Sequence, residues 1–176
     1  KIVSSIEVYL KQNYSPGYTA NERNTTIHGN GPAILVGSAK SVQVHNNFFR
    51  DWDQYGHCMH FTQAPTDGAQ IKGNVFWRSA GAWQKHAVSA PAGGQCIHNY
   101  FHSANHGATG IAHFGNVEGG DPGFVDSGGG DYHLTIGSAL KDSGPAQPEF
   151  NDHDGSRNDM GLYGGHAHDP NGATTV

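Results

Sequence analysis

The feature that most constrains the fold is a short phrase that occurs three times. In the segments 44–49, 71–76 and 97–101, an apolar residue, one or two polar residues and an asparagine precede an aromatic residue or its neighbour. The three asparagines, Asn47, Asn74 and Asn99, are 74 − 47 = 27 and 99 − 74 = 25 residues apart. A period of this length is typical of proteins in which one structural unit stacks on the next. The sequence therefore predicts a repeat architecture.

Each copy of the phrase can be interpreted as two short strands joined by a bend. Apolar residues such as Val42 and Val44 alternate with polar ones before the asparagine, and asparagine tolerates the left-handed conformation that a tight bend needs. This pattern predicts an all-β fold, a parallel β-helix, whose successive coils lie about 4.8 Å apart. Asn47, Asn74 and Asn99 would then form an amide ladder. The alternative is a β-sandwich of three similar hairpins, but Asn-Gly hairpin signals are scarce between the strands.

Length and spacing predict one domain with about four to five coils. The predicted divisions are an N-terminal strand and loop over 1–24, the coils over 25–116, and an irregular C-terminal closure and tail over 117–176. Lys1 is not an initiator methionine, so we expect the N-terminus to be processed or truncated. An uncapped first coil would expose strand edges. Self-association through this N-terminal coil is therefore one expectation.

Composition limits the possible partners. The 26 glycines and a charged fraction of only 14% indicate a β-rich fold with many turns. The net charge is −5 with 13 histidines counted as neutral, and no basic stripe favours nucleic acid. No apolar run reaches the length of a membrane span. Cys58 and Cys96 are expected on different strands, pointing outward as free thiols, although a bond between them is the alternative.

Inserted segments lengthen the coils at 50–57, 78–84 and 102–107, and such insertions usually gather on one binding face. Aligning 58–61 with 85–88 and 111–114 predicts that His60, His86 and His113 point outward on three neighbouring strands. These imidazoles could form a sugar-binding or acid–base groove with polar residues of the insertions. The polar residues considered are Arg50, Asp53, Tyr55, His57, Arg78, Lys85 and His106. Alternatively, strand alternation simply exposes the histidines to solvent.

Aromatic residues and potential metal ligands also border the insertions. Trp52, Tyr55, Trp77 and Trp83 can serve as platforms for sugar rings, or can cover the core beneath the loops. The three histidines are too far apart at strand spacing to share one Zn²⁺ without tilting. Asp152-x-Asp154-Gly155 resembles the beginning of a calcium loop, but the closing glutamate is missing because Tyr163 occupies the twelfth position. No metal site or cofactor is predicted, and Ca²⁺ is the one ion that remains a candidate.

The C-terminal part contains a series of motifs in a specific order. They are Asp121-Pro122-Gly123-Phe124-Val125-Asp126, Asp131-Tyr132-His133-Leu134, Gly137-Ser138-Ala139-Leu140, Asp152-His153-Asp154-Gly155 and Arg157 through Tyr163. This series resembles the C-terminal end of bacterial right-handed parallel β-helix proteins of the pectin-lyase-like or choice-of-anchor type. The resemblance covers roughly 119–163; Leu140-Lys141 and the His-rich tail depart from it. It implies a closure in which Arg157 pairs with Asp159 and caps the last coil.

The resemblance also implies where a function would reside. Polysaccharide lyases of this fold have a cleft on the corresponding sheet, where a cation neutralises a uronate carboxylate and a base removes the adjacent proton. This implies a catalytic set consisting of Arg78, Lys85, His86 and His60. The residues expected to contact a glycan are Arg50, Trp52, Tyr55, His57, Trp83 and His113. The expected protein is extracellular or at the cell surface and interacts with carbohydrate, as a lyase-like enzyme or otherwise. The alternative is a non-catalytic adhesive or filament-forming subunit.

Overall fold

The computed structural model of the chain describes residues 34–36, 41–50, 57–77, 86–102 and 107–165. Within these ranges the protein is all-β, apart from a single-turn 3-10 helix at Pro148–Phe150. No helix in the described ranges is long and apolar enough to cross a membrane. The predicted N-terminal strand and loop (1–24) and the His-rich tail lie outside the described residues.

Twelve of the described strands form three parallel sheets of four strands each. Sheet 1 contains β1 (Ile34–Val36), β4 (Met59–Phe61), β7 (Val88–Ser89) and β10 (Ala108–Thr109). Sheet 2 contains β2 (Val42–His45), β5 (Ala69–Lys72), β8 (Gly94–Ile97) and β11 (Ala112–Phe114). Sheet 3 contains β3 (Phe48–Arg50), β6 (Val75–Trp77), β9 (Tyr100–Phe101) and β12 (Val117–Glu118). The chain passes through sheets 1, 2 and 3 repeatedly in that order.

Equivalent residues of successive repeats are directly opposite each other, as the period predicted. Val44 pairs with Ile71, which pairs with Cys96, and all three side chains are buried. Because every pairing within the three sheets is parallel, a sandwich of antiparallel hairpins does not describe this part of the chain. The prediction of an all-β stack of parallel strands is confirmed, and the arrangement is that of a β-solenoid.

Aromatic rings are stacked inside the solenoid along sheet 3. The second residue after each ladder asparagine points inward, which brings Phe49, Phe76 and Phe101 together. The centroids of Phe49 and Phe76 are 5.1 Å apart, and those of Phe76 and Phe101 are 4.9 Å apart, with nearly parallel planes. Strand spacing imposes this face-to-face arrangement, because identical positions of neighbouring strands lie only about 4.8 Å apart.

The predicted amide ladder is present. The side-chain oxygen of Asn74 accepts hydrogen bonds from the backbone N–H and the side-chain amide of Asn47, at 2.9 and 3.1 Å. Asn74 donates in the same way to Asn99, at 2.9 and 3.0 Å. The structure adds a fourth member that the sequence pattern did not single out, because Asn99 donates to Asn116 at 2.8 and 3.1 Å. The ladder thus satisfies buried polar groups at each level.

The predicted position of the left-handed bend was wrong by one residue. The residue before each ladder asparagine has the positive φ: Asn46 (53°), Gly73 (66°), His98 (51°) and Gly115 (64°). Because the chain bends one residue earlier, the side chain of each ladder asparagine points inward. There its amide forms a hydrogen bond with the amide of the next asparagine. Three of these four positions hold glycine or asparagine, the residues that adopt this conformation most easily.

The C-terminal segment covers the outer face of sheet 3. This segment includes an antiparallel hairpin formed by β13 (Phe124–Asp126) and β14 (Asp131–Leu134). The outward residues of sheet 3 pack against it in a second apolar cluster, in which Leu140 and Met160 are buried. Phe124 contacts the rings of Phe48 and Trp77 edge-on, at 5.6 and 5.5 Å. Much of the C-terminal segment that the sequence predicts as a closure therefore covers the outer face of sheet 3.

The expected ion pair between Arg157 and Asp159 is absent from the described residues. Arg157 instead donates from Nε and Nη2 to the carbonyl oxygen of Gly144, at 2.9 and 2.7 Å. The carboxylate of Asp159 accepts the backbone N–H of Asp142 at 2.7 Å. Both side chains thus form hydrogen bonds with backbone groups of the C-terminal segment instead of with each other. The order of residues in the sequence does not reveal that these backbone groups compete for the two side chains.

Both cysteines are buried free thiols. The expectation of free thiols is confirmed, but the expectation that they point outward was wrong. Cys58 precedes β4 and Cys96 occupies the inward position of β8 that Ile71 occupies on β5. Burial raises the pKa of both thiols, and at Cys96 the charge of Glu118 raises it further. They behave as small apolar core residues.

We expect neither thiol to react with a thiol-specific reagent in the native protein at neutral pH. Only the thiolate is nucleophilic, and burial both shields the sulfur and disfavours the thiolate. The measurement is the rate of labelling by a chromogenic disulfide with and without denaturant. Two equivalents should react only after unfolding, and rapid native labelling would contradict the buried positions.

Candidate functional site

All three inserted segments connect a strand of sheet 3 to the following strand of sheet 1. They lie between β3 and β4, between β6 and β7, and between β9 and β10. The predicted gathering of insertions at one corner agrees with this topology. The candidate site is the outer face of sheet 1 next to that corner.

The register of sheet 1 differs from the predicted alignment. Met59 pairs with Val88, an offset of 88 − 59 = 29 residues, so that His60 pairs with Ser89. His86 precedes β7 and corresponds in register to His57. The predicted alignment of His60 with His86 was therefore wrong. The reason is packing: Met59 and Val88 both fill the interior, whereas a direct match of the histidines would place Lys85 at the position of Met59.

His113 does not share a sheet with His60. It lies on β11 in sheet 2, opposite Cys96, and its side chain is exposed. The strand of sheet 1 at this level is Ala108–Thr109, followed by Gly110. Such small residues carry no hydrophobic signal, and so the apolar residues of 111–114 were mistaken for the strand of sheet 1.

Three histidines nevertheless lie at sheet 1: the rings of His57 and His60 contact each other, and His57 contacts the backbone of His86. The rings of His57 and His60 are stacked with centroids 5.4 Å apart and planes only 7° from parallel. His57 Nδ1 lies 2.6 Å from the carbonyl oxygen of His86, and this contact joins two successive repeats. The Nδ1 atoms of His60 and His86 are shielded from solvent and form no hydrogen bond. The structure therefore brings His57, His60 and His86 together and leaves out His113.

The hydrogen-bond partners assign the tautomers of these rings. A carbonyl oxygen only accepts hydrogen bonds, so His57 carries its proton on Nδ1. This N–H donates a hydrogen bond to the carbonyl oxygen of His86. Leaving a buried N–H without an acceptor is less favourable than leaving a buried lone pair. His60 and His86 are therefore assigned the tautomer with the proton on Nε2. In this form each presents a hydrogen-bond donor at Nε2.

A polar row continues from His60 along the outer face of sheet 1. Ser89 pairs with His60, and Thr109 pairs with Ser89. The three side chains are half-buried, whereas their neighbours Met59, Val88 and Ala108 face the core. The sequence interpretation missed Ser89 and Thr109. The available signal was alternation, because Ser89 lies between the buried Val88 and Ala90, and Thr109 follows the buried Ala108.

Several predicted site residues lie in segments that are outside the described ranges of the structure. Trp52, Tyr55, Arg78, Trp83 and Lys85 lie outside the described residues, as does the side chain of Arg50, whose backbone ends β3. Their roles in catalysis or in binding remain predictions.

The carboxylates that suggested a calcium loop have backbone and hydroxyl partners. Asp152 accepts the N–H groups of Asp159 and Gly165, and Asp154 accepts the N–H and hydroxyl of Ser156. Burial, as the largest cause, raises the pKa of Asp152 to about 6. In the described residues no group of three or more His, Cys, Asp or Glu side chains could hold a metal ion. The Asp152 segment therefore acts as a turn that fastens the C-terminal segment.

Comparisons with protein-family models, with curated proteins and with solved structures give no match to this chain. The likeness of residues 119–163 to pectin-lyase-like proteins therefore stands as a resemblance. The geometry of sheet 1 is the firmer basis for a functional proposal.

Proposed function

We propose that this protein is an extracellular, right-handed β-helix of four to five coils that binds a glycan on the outer face of sheet 1. The observation that carries the proposal is the cluster formed by His57, His60 and His86 beside the corner that bears all three insertions. Per-repeat insertions in solenoids commonly border the binding face. The row of His60, Ser89 and Thr109 supports the same location.

The chemistry of this face suits sugar hydroxyl groups. The imidazoles of His60 and His86 donate from Nε2, and the hydroxyl groups of Ser89 and Thr109 both donate and accept. A linear glycan laid along the solenoid axis would meet one polar side chain on each of the strands β4, β7 and β10. A row of this kind supplies orientation through several modest hydrogen bonds rather than through one strong contact.

Binding is better supported than catalysis by these histidines. A general base must hold a lone pair where the substrate proton lies, and the assigned tautomers of His60 and His86 hold a proton at Nε2 instead. A lyase-like activity would depend on Lys85 and Arg78, as the resemblance implies. In that reaction the base removes the proton adjacent to a uronate carboxylate. The glycosidic C–O bond breaks as a carbon–carbon double bond forms, and the leaving oxygen takes a proton.

The test is a calorimetric titration with a panel of neutral and uronate-containing oligosaccharides. We expect His60→Ala and Ser89→Ala each to weaken the binding of a positive oligosaccharide about two- to tenfold, since each removes one hydrogen bond. Gln43→Ala, on the exposed outer face of sheet 2, is the matched control and should bind like the wild type. Equal affinities for His60→Ala and the wild type would contradict a site on sheet 1.

Two further measurements separate the alternatives. A lyase would increase the ultraviolet absorbance of a polyuronate solution as unsaturated ends form, and Lys85→Ala would abolish the increase. The assembly alternative has one supporting observation: the edge strand β11 exposes Phe114, at 53% of its surface. A structural subunit would show concentration-dependent sedimentation and bind none of the glycans.

A further inference from the structure

The corner that bears the insertions has a second side, formed by the ends of the sheet 3 strands. Trp77 is the last residue of β6 and directly precedes the second insertion. His102 directly follows β9 and begins the third insertion. The backbone N–H of His102 donates to the carbonyl oxygen of Phe76 at 3.0 Å, which holds the two strand ends side by side.

The C-terminal segment does not fully cover this side of the corner. Tyr100, which precedes His102 by two residues, is buried in the cluster on the outer face of sheet 3. Its hydroxyl donates to the carbonyl oxygen of Gly120 at 2.9 Å. Trp77 and His102 are only half-buried. The edge of the covered surface therefore runs along these two side chains.

The rings of Trp77 and His102 are in direct contact. Their centroids lie 3.8 Å apart, and the planes are inclined by 55°. Phe124 of the C-terminal segment also contacts Trp77 edge-on, at 5.5 Å. Such contacts restrain the rings, because aromatic pairs prefer particular relative orientations. The corner thus presents an ordered indole next to an ordered imidazole.

The hydrogen bonds of Tyr100 assign the tautomer of His102. A phenol has one proton, and Tyr100 donates it to the carbonyl oxygen of Gly120. The phenol oxygen also lies 3.4 Å from Nδ1 of His102. In this long hydrogen bond the oxygen can only accept, so Nδ1 carries the imidazole proton. Nε2 of His102 therefore holds a lone pair, the opposite of the assignment for His60 and His86.

Both protons stay in these positions at neutral pH. Burial, together with the charge of Asp121, raises the pKa of Tyr100 to about 12, so that the phenol remains protonated. Burial lowers the pKa of His102, so that the imidazole remains neutral. Nε2 of His102 is therefore a hydrogen-bond acceptor at pH 7.

Two polar atoms of these rings have no hydrogen-bond partner in the part of the chain that the structure describes. They are Nε1 of Trp77, a donor, and Nε2 of His102, an acceptor. The unpartnered side-chain atoms that are shut off from solvent in the described ranges belong to other residues, such as His60. The two atoms at this corner are therefore open to solvent, and a ligand can reach them.

We propose that Trp77 and His102 bind the hydroxyl groups of a carbohydrate on the sheet 3 side of the insertion corner. A sugar hydroxyl donates to Nε2 of His102, and a sugar oxygen accepts from Nε1 of Trp77. Hydroxyl groups both donate and accept, so they suit this pair of atoms. Tyr100 is a positioning residue, because it acts on the ligand only through the proton of His102. The proposal does not depend on glycan binding at sheet 1.

The first experiment titrates the same panel of oligosaccharides and follows the indole N–H signals in the NMR spectrum. The chain has three tryptophans, and Trp77→Phe identifies the signal of Trp77 by removing it. A positive oligosaccharide should shift this signal, whereas inorganic sulfate, which has no proton to donate at pH 7, should not. Calorimetry should show that His102→Phe and Trp77→Phe each bind about two- to tenfold more weakly than the wild type, since each loses one hydrogen bond but keeps an aromatic ring.

Two variants serve as controls. His102→Gln keeps an acceptor oxygen close to the position of Nε2, so its affinity should remain within about twofold of the wild type. His153→Phe replaces an exposed histidine of the C-terminal segment in the same way and should bind like the wild type. Equal affinities of His102→Phe and the wild type would overturn the proposal. Equal weakening by His153→Phe and His102→Phe would also overturn it.

The second experiment measures the tautomer by nitrogen NMR of the imidazole ring, without any ligand. In the wild type, Nδ1 of His102 should carry the proton. Tyr100→Phe removes the accepting oxygen, so Nε2 should become protonated and the affinity should fall as in His102→Phe. A merely structural role of Tyr100 would change the melting temperature but not the tautomer. A proton on Nε2 in the wild type would contradict the proposal.

His60→Ala separates this site from the one on sheet 1. Weaker binding by His102→Phe, with unchanged binding by His60→Ala, supports the sheet 3 side and contradicts the site on sheet 1. The reverse result contradicts the site of Trp77 and His102 and leaves the proposed function intact. Weaker binding by both variants supports both sites, through one ligand that crosses the corner. If no oligosaccharide binds the wild type, both proposals are wrong.

Discussion

Asn74→Ala is expected to lower the free energy of unfolding by about 3–5 kcal/mol, measured by urea denaturation. Asn74 is completely buried. Its oxygen accepts from the N–H of Asn47, and its amide donates to the oxygens of Val44 and Asn99, at 2.8 and 3.0 Å. Alanine would remove these partners where water does not reach. The loss is large beside a typical total stability of roughly 5–15 kcal/mol.

Two other asparagines serve as controls for this prediction. Asn116 is the last member of the ladder and is half-buried, so that solvent can replace part of its contacts and Asn116→Ala should cost less than Asn74→Ala. Asn151 lies outside the ladder and donates to the carbonyl oxygen of Gly155, and its replacement should cost no more than about 1 kcal/mol. Equal losses at Asn74 and Asn151 would mean that the ladder does not stabilise the fold specifically.

Phe76→Ala is expected to cost about 3–5 kcal/mol for a different reason, the loss of buried apolar surface and the cavity left behind. Phe76 is fully buried and stacked between the rings of Phe49 and Phe101, at 5.1 and 4.9 Å. The removed ring leaves a gap in the middle of the stack, which close neighbours can fill only in part. The urea midpoint and the melting temperature measure the effect.

Phe114→Ala is the matched control, because the same atoms are removed from a side chain that is 53% exposed. Its cost should stay below about 1 kcal/mol, as is usual for surface positions. Phe76→Leu retains most of the volume, and it provides a measurable variant if Phe76→Ala does not fold. A cost for Phe76→Ala as small as that for Phe114→Ala would contradict the stacked interior.

Much of the solenoid could be predicted because its repeats are regular in the sequence. The phrase around Asn47, Asn74 and Asn99 contains both an inward amide and an inward aromatic residue, and both recur as a ladder and a stack. Residues one period apart must then pair, because parallel strands of neighbouring repeats lie side by side. The location of the insertions between sheets 3 and 1 follows from the same regularity.

The candidate site on sheet 1 was predictable only in part. The importance of His57, His60 and His86 could be inferred from their place beside the insertions. Their relative register could not, because residues 85–90 allow two alignments that place either Lys85 or Val88 at the position of Met59, and the packed interior accepts Val88.

The sequence by itself determined that like residues of successive repeats would lie above one another, since a fixed period admits little else. Only the tertiary structure decided which residue of each repeat turns the chain, where the thiols point and which side the C-terminal segment covers. These features depend on which alignment fills the interior without gaps or clashes. That is a property of side-chain volumes packed in three dimensions, which the period alone does not specify.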